Sequence, residues 1–281
     1  MNTGNTIWLP NHCLDSIPYP KHYTPPKMVW RFMASIIDWY GENASIPKSD
    51  ITLFALPGVG DVGKRAVEQI REGMDCEPIA RILNSGFPPH ATLDNDGLIA
   101  PPHLDISMVK SKSKTILLIS GENQPLNPPE QFELTQFILG RLQKKTEQLL
   151  VLAGMASEPN RKDVFVVPST SGYRIDLESQ GIDVRRDEPS AGAIGMAALM
   201  ASMGPIYGIN SALTIATTIG TSADTLASDR LLHKISQWWS LDLDWDDSTE
   251  SSLIEKIKNR SSGKSSDMVQ ELTNSHDASY M

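Results

Sequence analysis

Three glycines at the end of an apolar run are the residues of this sequence whose spacing points most directly to chemistry. A run of strand length precedes them, a Pro-Gly pair ends that run, and a helical pattern begins at Lys64. Gly58, Gly60 and Gly63 have the GxGxxG spacing with which dinucleotide-binding proteins turn the backbone beneath a pyrophosphate. The same residues also match GxxxxGK, the start of a triphosphate-binding loop. Residues 58–63, the glycine loop, are therefore the first candidate for a nucleotide site.

Neither nucleotide motif is complete. A triphosphate-binding loop needs Ser or Thr after its lysine to hold Mg²⁺, whereas Arg65 stands here and a guanidinium cannot ligate a cation. A dinucleotide site needs an acidic residue at the tip of the next strand, but that strand ends without a carboxylate at Asn84. We therefore expect the glycines to allow close packing of a helix on a strand. The alternative is a nucleoside- or nucleotide-binding protein or enzyme, or a bare small-molecule site, that uses this loop.

The rest of the sequence contains few candidate catalytic or metal-binding residues. The six histidines show no metal-binding spacing, and the sequence contains no GxSxG nucleophile motif. Residues 84–90 (NSGFPPH) and 169–172 (STSG) each follow a predicted strand, at the edge where open α/β sheets bind ligands. Neither stretch has an acid–base pair beside it, and a polar turn is usually only a turn. The sequence therefore predicts no catalytic residue, no cofactor and no metal.

Composition narrows the function further. The chain has 281 residues, 40% of them hydrophobic and 21% charged, which is typical of a globular protein. Its formal charge of −9 argues against nucleic-acid binding, which depends on basic surfaces.

Cys13 and Cys76 are too few for a disulfide framework, and the opening residues lack the pattern of a secretory signal. Residues 191–219 are nearly uncharged, but a Gly-Pro pair interrupts them, so we expect no membrane span and a cytoplasmic protein.

Apolar runs alternate with helical patterns from residue 51 onward, which indicates the elements that hold these loops. Predicted strands cover residues 51–56, 78–83, 115–120, 148–154, 163–168 and 206–217, and predicted helices cover 64–72, 129–144, 192–203 and 222–239. Strands that are apolar throughout and separated by helices indicate a largely parallel sheet with helices on both faces. Residues 98–108 are expected to add short strands or a hairpin. The sequence thus predicts an α/β domain over residues 49–258.

Both ends of the chain differ from this domain. Residues 1–48 are rich in proline and contain one helical pattern, at residues 27–40, whose apolar positions would share one face. Residues 259–281 have few apolar side chains and predict a flexible tail. From the apolar face of the N-terminal pattern and the Met-rich helix at 192–203, we expect a homo-oligomer.

Six segments, taken in order, carry a resemblance to a known family. They are LPGVGDVGKRA (56–66), EPIARILNSGFPPHA (77–91), GLIAPPHLDI (97–106), TILLISGENQPLNPPEQFELTQFIL (115–139), LLVLAGMASEP (149–159) and AGAIGMAALMASMGPIYGINSALTIATT (191–218). Over residues 49–245 the chain resembles the proteasome assembly chaperone family, in particular the second assembly chaperone of eukaryotes and its archaeal and bacterial relatives.

The resemblance implies both a fold and a partner. It implies an α/β domain with the topology of nucleoside phosphorylases, no established catalytic centre, oligomers, and binding to proteasome core α subunits. In several relatives a C-terminal tail that ends hydrophobic–Tyr–any residue docks between α subunits. This chain ends Ser279-Tyr280-Met281, so Tyr280 and Met281 match that pattern while Ser279 replaces the hydrophobic residue. The resemblance therefore predicts a non-enzymatic, chaperone-like protein with Tyr280 and Met281 as partner-binding residues.

Overall fold

The computed structural model describes residues 35–41, 44–93, 97–111, 114–220 and 223–246. Within these ranges ten strands follow one another: β1 (Ser35–Trp39), β2 (Ser49–Ala55), β3 (Cys76–Asn84), β4 (Thr92–Leu93), β5 (Ile99–Ala100), β6 (Leu104–Ser111), β7 (Lys114–Gly121), β8 (Thr146–Ala156), β9 (Val164–Pro168) and β10 (Asn210–Thr218). The helices are α1 (Val62–Gly73), α2 (Pro128–Leu142), α3 (Ser171–Ser179), α4 (Gly195–Met203) and α5 (Thr225–Trp239).

Eight of these strands form one mixed sheet in the order β1-β3-β6-β7-β2-β8-β10-β9. The four central strands, β7, β2, β8 and β10, are parallel to one another. Antiparallel pairing adds β6, β3 and β1 at one end of the sheet and β9 at the other. Since β3 again runs with the central strands, most of the sheet shares one direction, and the α/β fold expected from the sequence is confirmed.

Helices cover both faces of the sheet, as the sequence predicts. One buried cluster joins α1 and α5 to one face, through residues such as Val67, Ile70 and Leu231. A second buried cluster joins α2 and α4 to the other face, through residues such as Leu134 and Met200. The central strands are buried almost throughout because both of their faces pack against helices.

The helix predicted at residues 27–40 is wrong over residues 35–39, and residues 27–34 lie outside the described residues. Residues 35–39, inside the amphipathic helix predicted at 27–40, form β1 and pair antiparallel with β3, so that Ile37 lies opposite Ile82. Ser35, Ile37 and Trp39 face inward while Ile36 and Asp38 are exposed, which is the two-residue period of a strand. A short run of β-branched and aromatic residues fits both periods, and pairing with β3 decides between them.

Other differences are smaller. Residues 171–179 form α3, where the sequence suggests only a polar turn at 169–172. Residues 98–108 contribute β5, which forms a hairpin with β4, and most of β6, which joins the main sheet. The Met-rich helix prediction is confirmed by α4, although Met196, Met200 and Met203 are buried in the domain rather than exposed. Residues 1–34 of the predicted N-terminal extension and the tail at 259–281 lie outside the described residues.

Candidate functional site

The glycine loop lies where two parallel strands separate. β2 pairs with β8 only as far as Phe54, opposite Val151, whereas β8 continues to Ala156 beside β10. After Ala55 the chain leaves β2, passes through one turn of 3-10 helix at Val59–Asp61 and enters α1. The loop therefore crosses the end of β8, at the edge of a parallel sheet where α/β proteins bind ligands.

Two of the three motif glycines are required by the packing of this loop. A Cβ on Gly63 would lie 2.2 Å from the carbonyl oxygen of Leu152 in β8, so only glycine lets α1 approach the strand this closely. Gly60 has a φ of +62°, and its Cβ would lie 2.8 Å from the hydroxyl oxygen of Thr218. Gly58 is different, because it is exposed and its Cβ would meet nothing nearer than 3.9 Å. Close helix–strand packing therefore accounts for Gly60 and Gly63.

A fourth glycine completes this packing from the strand side. A Cβ on Gly154 of β8 would lie 2.1 Å from the carbonyl oxygen of Val59 in the glycine loop. At each of these two contacts one partner therefore lacks a side chain: Gly63 faces Leu152, and Gly154 faces Val59. Sequence reasoning missed Gly154, because the apolar run of β8 does not show which segment of the chain crosses it. The one available signal is the glycine itself, since a glycine in a strand often marks a place where another backbone approaches closely.

Polar groups at the loop are engaged with one another. The backbone N–H of Gly58 donates to Asp61 Oδ1 at 3.2 Å, and the N–H of Asp61 donates to the carbonyl oxygen of Gly58 at 3.0 Å. A phosphate at this loop would have to displace the carboxylate of Asp61 and approach its negative charge. The N–H of Gly58, one of the backbone donors that a phosphate would use, is thus already satisfied by an acidic residue.

The motif lysine is paired as well. Lys64 Nζ lies 2.7 Å from Glu122 Oε2 and 3.2 Å from Glu68 Oε1. Partial burial by itself lowers the pKa of Lys64, but the hydrogen bond to Glu122 and the charge of Glu68 outweigh it and raise that pKa. Arg65 also pairs with acidic residues of its own helix, Glu68 and Glu72. These cations hold the first turns of α1 in place rather than facing a vacant anion site.

The two polar stretches after strands are also committed to local structure. Asn84 Nδ2 donates to Ser35 Oγ at 2.8 Å, and its Oδ1 accepts from the N–H of Gly86 at 2.7 Å, so this side chain ties the turn to β1. In the other stretch, Thr170 caps α3 by accepting from the N–H of Tyr173 at 3.2 Å. The predicted ligand loops are therefore a strand-to-loop turn and a helix cap.

A cavity of about 550 Å³ opens beside the glycine loop. It lies under the first turn of α4, between the separated ends of β2 and β8 and one face of β10. Its walls are lined by Leu56, Pro57, Gly58, Val59, Val62, Gly63, Gln124, Gln131, Leu152, Ala153, Gly154, Met155, Ala156, Pro189, Gly192, Ala193, Ile194, Gly195, Ala197, Leu213 and Ile215. None of these residues is ionisable, so the structure places apolar surface, rather than acid–base groups, next to the motif.

The described residues contain neither a group of side chains that could hold a metal ion nor a helix that could span a membrane. Within those ranges, no three His, Cys, Asp or Glu side chains come together in a way that could hold a metal ion. Among the same residues, no helix is both long and apolar enough to cross a membrane. Ser279, Tyr280 and Met281, predicted to bind a partner, lie outside the described residues.

Comparison with known proteins identifies the family of this architecture. A model of the PAC2 family matches residues 53–260 of the chain. A protein of Methanocaldococcus jannaschii, described as uncharacterised, is 22% identical over 233 residues, which cover 81% of this chain and 90% of that protein.

Solved structures show the same fold. Pyrococcus furiosus PbaB, an archaeal proteasome activator, has a TM-score of 0.67 at 18% identity and covers 85% of this chain and 99% of its own. Pyrococcus furiosus PbaA, an archaeal homologue of proteasome-assembly chaperone, has a TM-score of 0.62 at 20% identity, covering 80% and 92%. A proteasome-assembly chaperone homologue of Mycobacterium tuberculosis has a TM-score of 0.57 at 15% identity, covering 76% and 94%.

Proposed function

This chain belongs to the PAC2 family, and we propose that it is a non-enzymatic, chaperone-like protein of the cytoplasm that binds proteasome core α subunits. In this proposal the folded domain is an oligomeric scaffold. The C-terminal residues Tyr280 and Met281 add a docking contact on the α subunits.

The observation that carries the proposal is the internal engagement of Gly60, Gly63 and Lys64 at the glycine loop. The missing Cβ atoms of Gly60 and Gly63 make room for Thr218 and Leu152, and Lys64 is paired with two carboxylates. A nucleotide enzyme would need these same groups to face a substrate. Their engagement favours a scaffold over a nucleotide-dependent enzyme.

The proposed partner is inferred from the descriptions of proteins with similar structures. The structures that share this fold include a protein described as a proteasome activator and two described as homologues of proteasome-assembly chaperones. A partner common to those descriptions is the proteasome, and its core α subunits are the surface that the tail pattern of this chain would meet.

The end of the tail carries an aromatic ring and a carboxylate that suit that contact. Tyr280 is the only aromatic residue after Trp245 and is one residue from the terminal carboxylate. A chain terminus that is free in solution can enter a pocket on a partner and become ordered there, with its ring and carboxylate as specific contacts. Ser279, at the position where an apolar residue would add buried area, weakens this contact in the proposal.

Exposed apolar surface supports an oligomer. Leu93, Leu98 and Ile99, on the hairpin of β4 and β5, are 74%, 63% and 79% exposed. Three large, exposed apolar side chains on one hairpin are typical of a surface that another chain covers. This hairpin replaces the predicted N-terminal helix and α4 as the basis of the oligomer proposal.

A pull-down against purified proteasome core particles tests the proposal. The intact chain should retain the particles, Tyr280→Ala should abolish retention, and Ser279→Leu should strengthen it by restoring an apolar contact. Ser275→Ala, in the same tail but away from its end, is the matched control and should behave as the parent. All variants should keep the same circular dichroism spectrum and melting temperature.

The outcomes separate the parts of the proposal. If Tyr280→Ala binds as well as the parent, the tail contact is wrong and binding comes from the folded domain. If the intact chain and Ser279→Leu both fail to bind core particles and isolated α rings, the partner is wrong.

A further inference from the structure

The cavity beside the glycine loop has the properties of a ligand site that neither the nucleotide motif nor proteasome binding describes. We propose that it binds a neutral, largely apolar small molecule that carries an N–H or O–H donor. The proposal concerns a second activity of the domain and does not depend on the tail.

Strand geometry explains why the cavity exists. β2 pairs with β8 only as far as Phe54, but β8 continues for five further residues, to Ala156, so one side of β8 loses its neighbouring strand. The glycine loop covers part of that side, and the first turn of α4 covers the adjoining face. The remaining volume, about 550 Å³, falls within the range of roughly 300–1,000 Å³ that small-molecule sites occupy.

The lining determines the charge of the ligand. Leu56, Met155, Leu213 and Ile215 contribute aliphatic or thioether surface, and no residue that lines the cavity is ionisable. A carboxylate or phosphate held there would lose its hydration without gaining a counter-ion, which is costly. The cavity therefore selects neutral molecules and rejects the anions that the glycine motif would suggest.

Two glutamines supply the polar contacts. Gln124 Nε2 donates to the carbonyl oxygen of Pro57 at 3.2 Å, and Gln131 Nε2 donates to that of Pro125 at 2.9 Å. Because a carbonyl oxygen only accepts hydrogen bonds, these partners fix which end of each amide is the nitrogen. No described residue donates to the Oε1 atom of either glutamine.

The oxygen of Gln124 lies at the cavity wall. Gln124 Oε1 would be 3.6 Å from a Cβ placed on Gly195, at the start of α4, and both residues line the cavity. An acceptor that is oriented by its own amide nitrogen, and has no donor among the described residues, suits an amide or hydroxyl group on a ligand. Apolar walls together with this acceptor define the ligand class.

Ligand-observed saturation-transfer NMR with a matched panel tests the proposal. The panel contains neutral aromatic amides of about 10–20 non-hydrogen atoms, a size that such a cavity would enclose, the corresponding carboxylates, and AMP. Neutral amides should show saturation transfer and the anions should not. Ala197→Phe, which fills the cavity from α4, should weaken amide binding by roughly tenfold or more, since a ring then occupies the ligand's place.

Ala198→Phe is the matched control, because Ala198 neighbours Ala197 on α4 but does not line the cavity. If Ala197→Phe lowers the melting temperature, Ala197→Leu, which fills less of the cavity, replaces it in the binding test. Gln124→Met removes the acceptor and should weaken the amides while leaving toluene binding unchanged. Equal signals from amides and carboxylates, strong binding of AMP, unchanged amide affinity in a folded Ala197 variant, or no amide binding at all would each overturn the proposal.

Discussion

Replacement of Gly63 by alanine tests whether the glycine motif serves packing. In a helix, Gly→Ala normally stabilises by up to about 1 kcal/mol, because alanine has the higher helix propensity. At Gly63 the added Cβ would lie 2.2 Å from the carbonyl oxygen and 2.6 Å from the carbonyl carbon of Leu152. These are backbone atoms of the central strand β8, so no side-chain rotation can relieve the contact.

The structure must therefore move α1 away from the sheet. α1 buries Ala66, Val67 and Ile70 in the core, and its displacement loosens all three. Overpacking of this kind costs about 1–3 kcal/mol, which exceeds the gain in propensity. At roughly 2–4 °C per kcal/mol, the melting temperature should fall by several degrees. Gly63→Val, with a larger side chain, should destabilise further.

Gly172→Ala is the matched control for this substitution. Gly172 is the second residue of α3, as Gly63 is of α1, and a Cβ there would meet no atom within 4 Å. The control should be neutral or slightly stabilising in urea unfolding monitored by circular dichroism. A Gly63→Ala variant as stable as the parent would refute the packing argument. Loss of a ligand's stabilisation with an unchanged unliganded melting temperature would point instead to a binding loop.

Two further predictions concern assembly and pH. Light scattering at micromolar concentration should give a mass well above the 30.9 kDa of one chain, and a monomer would contradict the oligomer proposal. The hydrogen bond to Asp105, 3.2 Å away, outweighs partial burial and raises the pKa of His103, with help from the Pro101 carbonyl. The interaction of protonated His103 with Asp105 therefore stabilises the fold fully below about pH 6.5, and this stabilisation is lost as the pH rises through the raised pKa. Asp105→Asn removes the interaction, so it should destabilise the protein more at about pH 5.5 than at about pH 9. Equal losses at both pH values would contradict it.

The parallel centre of the fold could be predicted because its sequence signals are local. Apolar runs at β2, β7, β8 and β10 are bounded by turn residues and alternate with helical patterns, so the strand and helix assignments there agree with the structure in type. The start of the last predicted strand, at 206–217, is wrong, because residues 204–207 form a 3-10 helix and β10 begins at Asn210. β1 could not be predicted in the same way. Its five residues carry no decisive period, and their conformation depends on β3, more than 35 positions later in the chain.

In the candidate site, too, the residues with local sequence signals could be predicted and those with distant partners could not. Gly60 and Gly63 stand out in the sequence because their spacing is local, and their packing role was the expected one. Gly154 and Gln124 did not stand out, because their partners Val59 and Pro57 are distant in sequence and reach them only when the strands separate. Sequence reasoning thus found the loop but not the cavity beside it.

Close packing and phosphate binding make the same demand on a strand-to-helix turn, namely the absence of a Cβ, so a glycine motif alone cannot distinguish them. They differ in what the free backbone N–H groups and the nearby cation face. Here the N–H of Gly58 faces Asp61 of its own loop, and Lys64 faces Glu122, so an arriving phosphate would have to break both contacts before forming its own. A neutral molecule in the adjoining cavity breaks neither contact, and the same turn can therefore exclude nucleotides while still forming one wall of a ligand site.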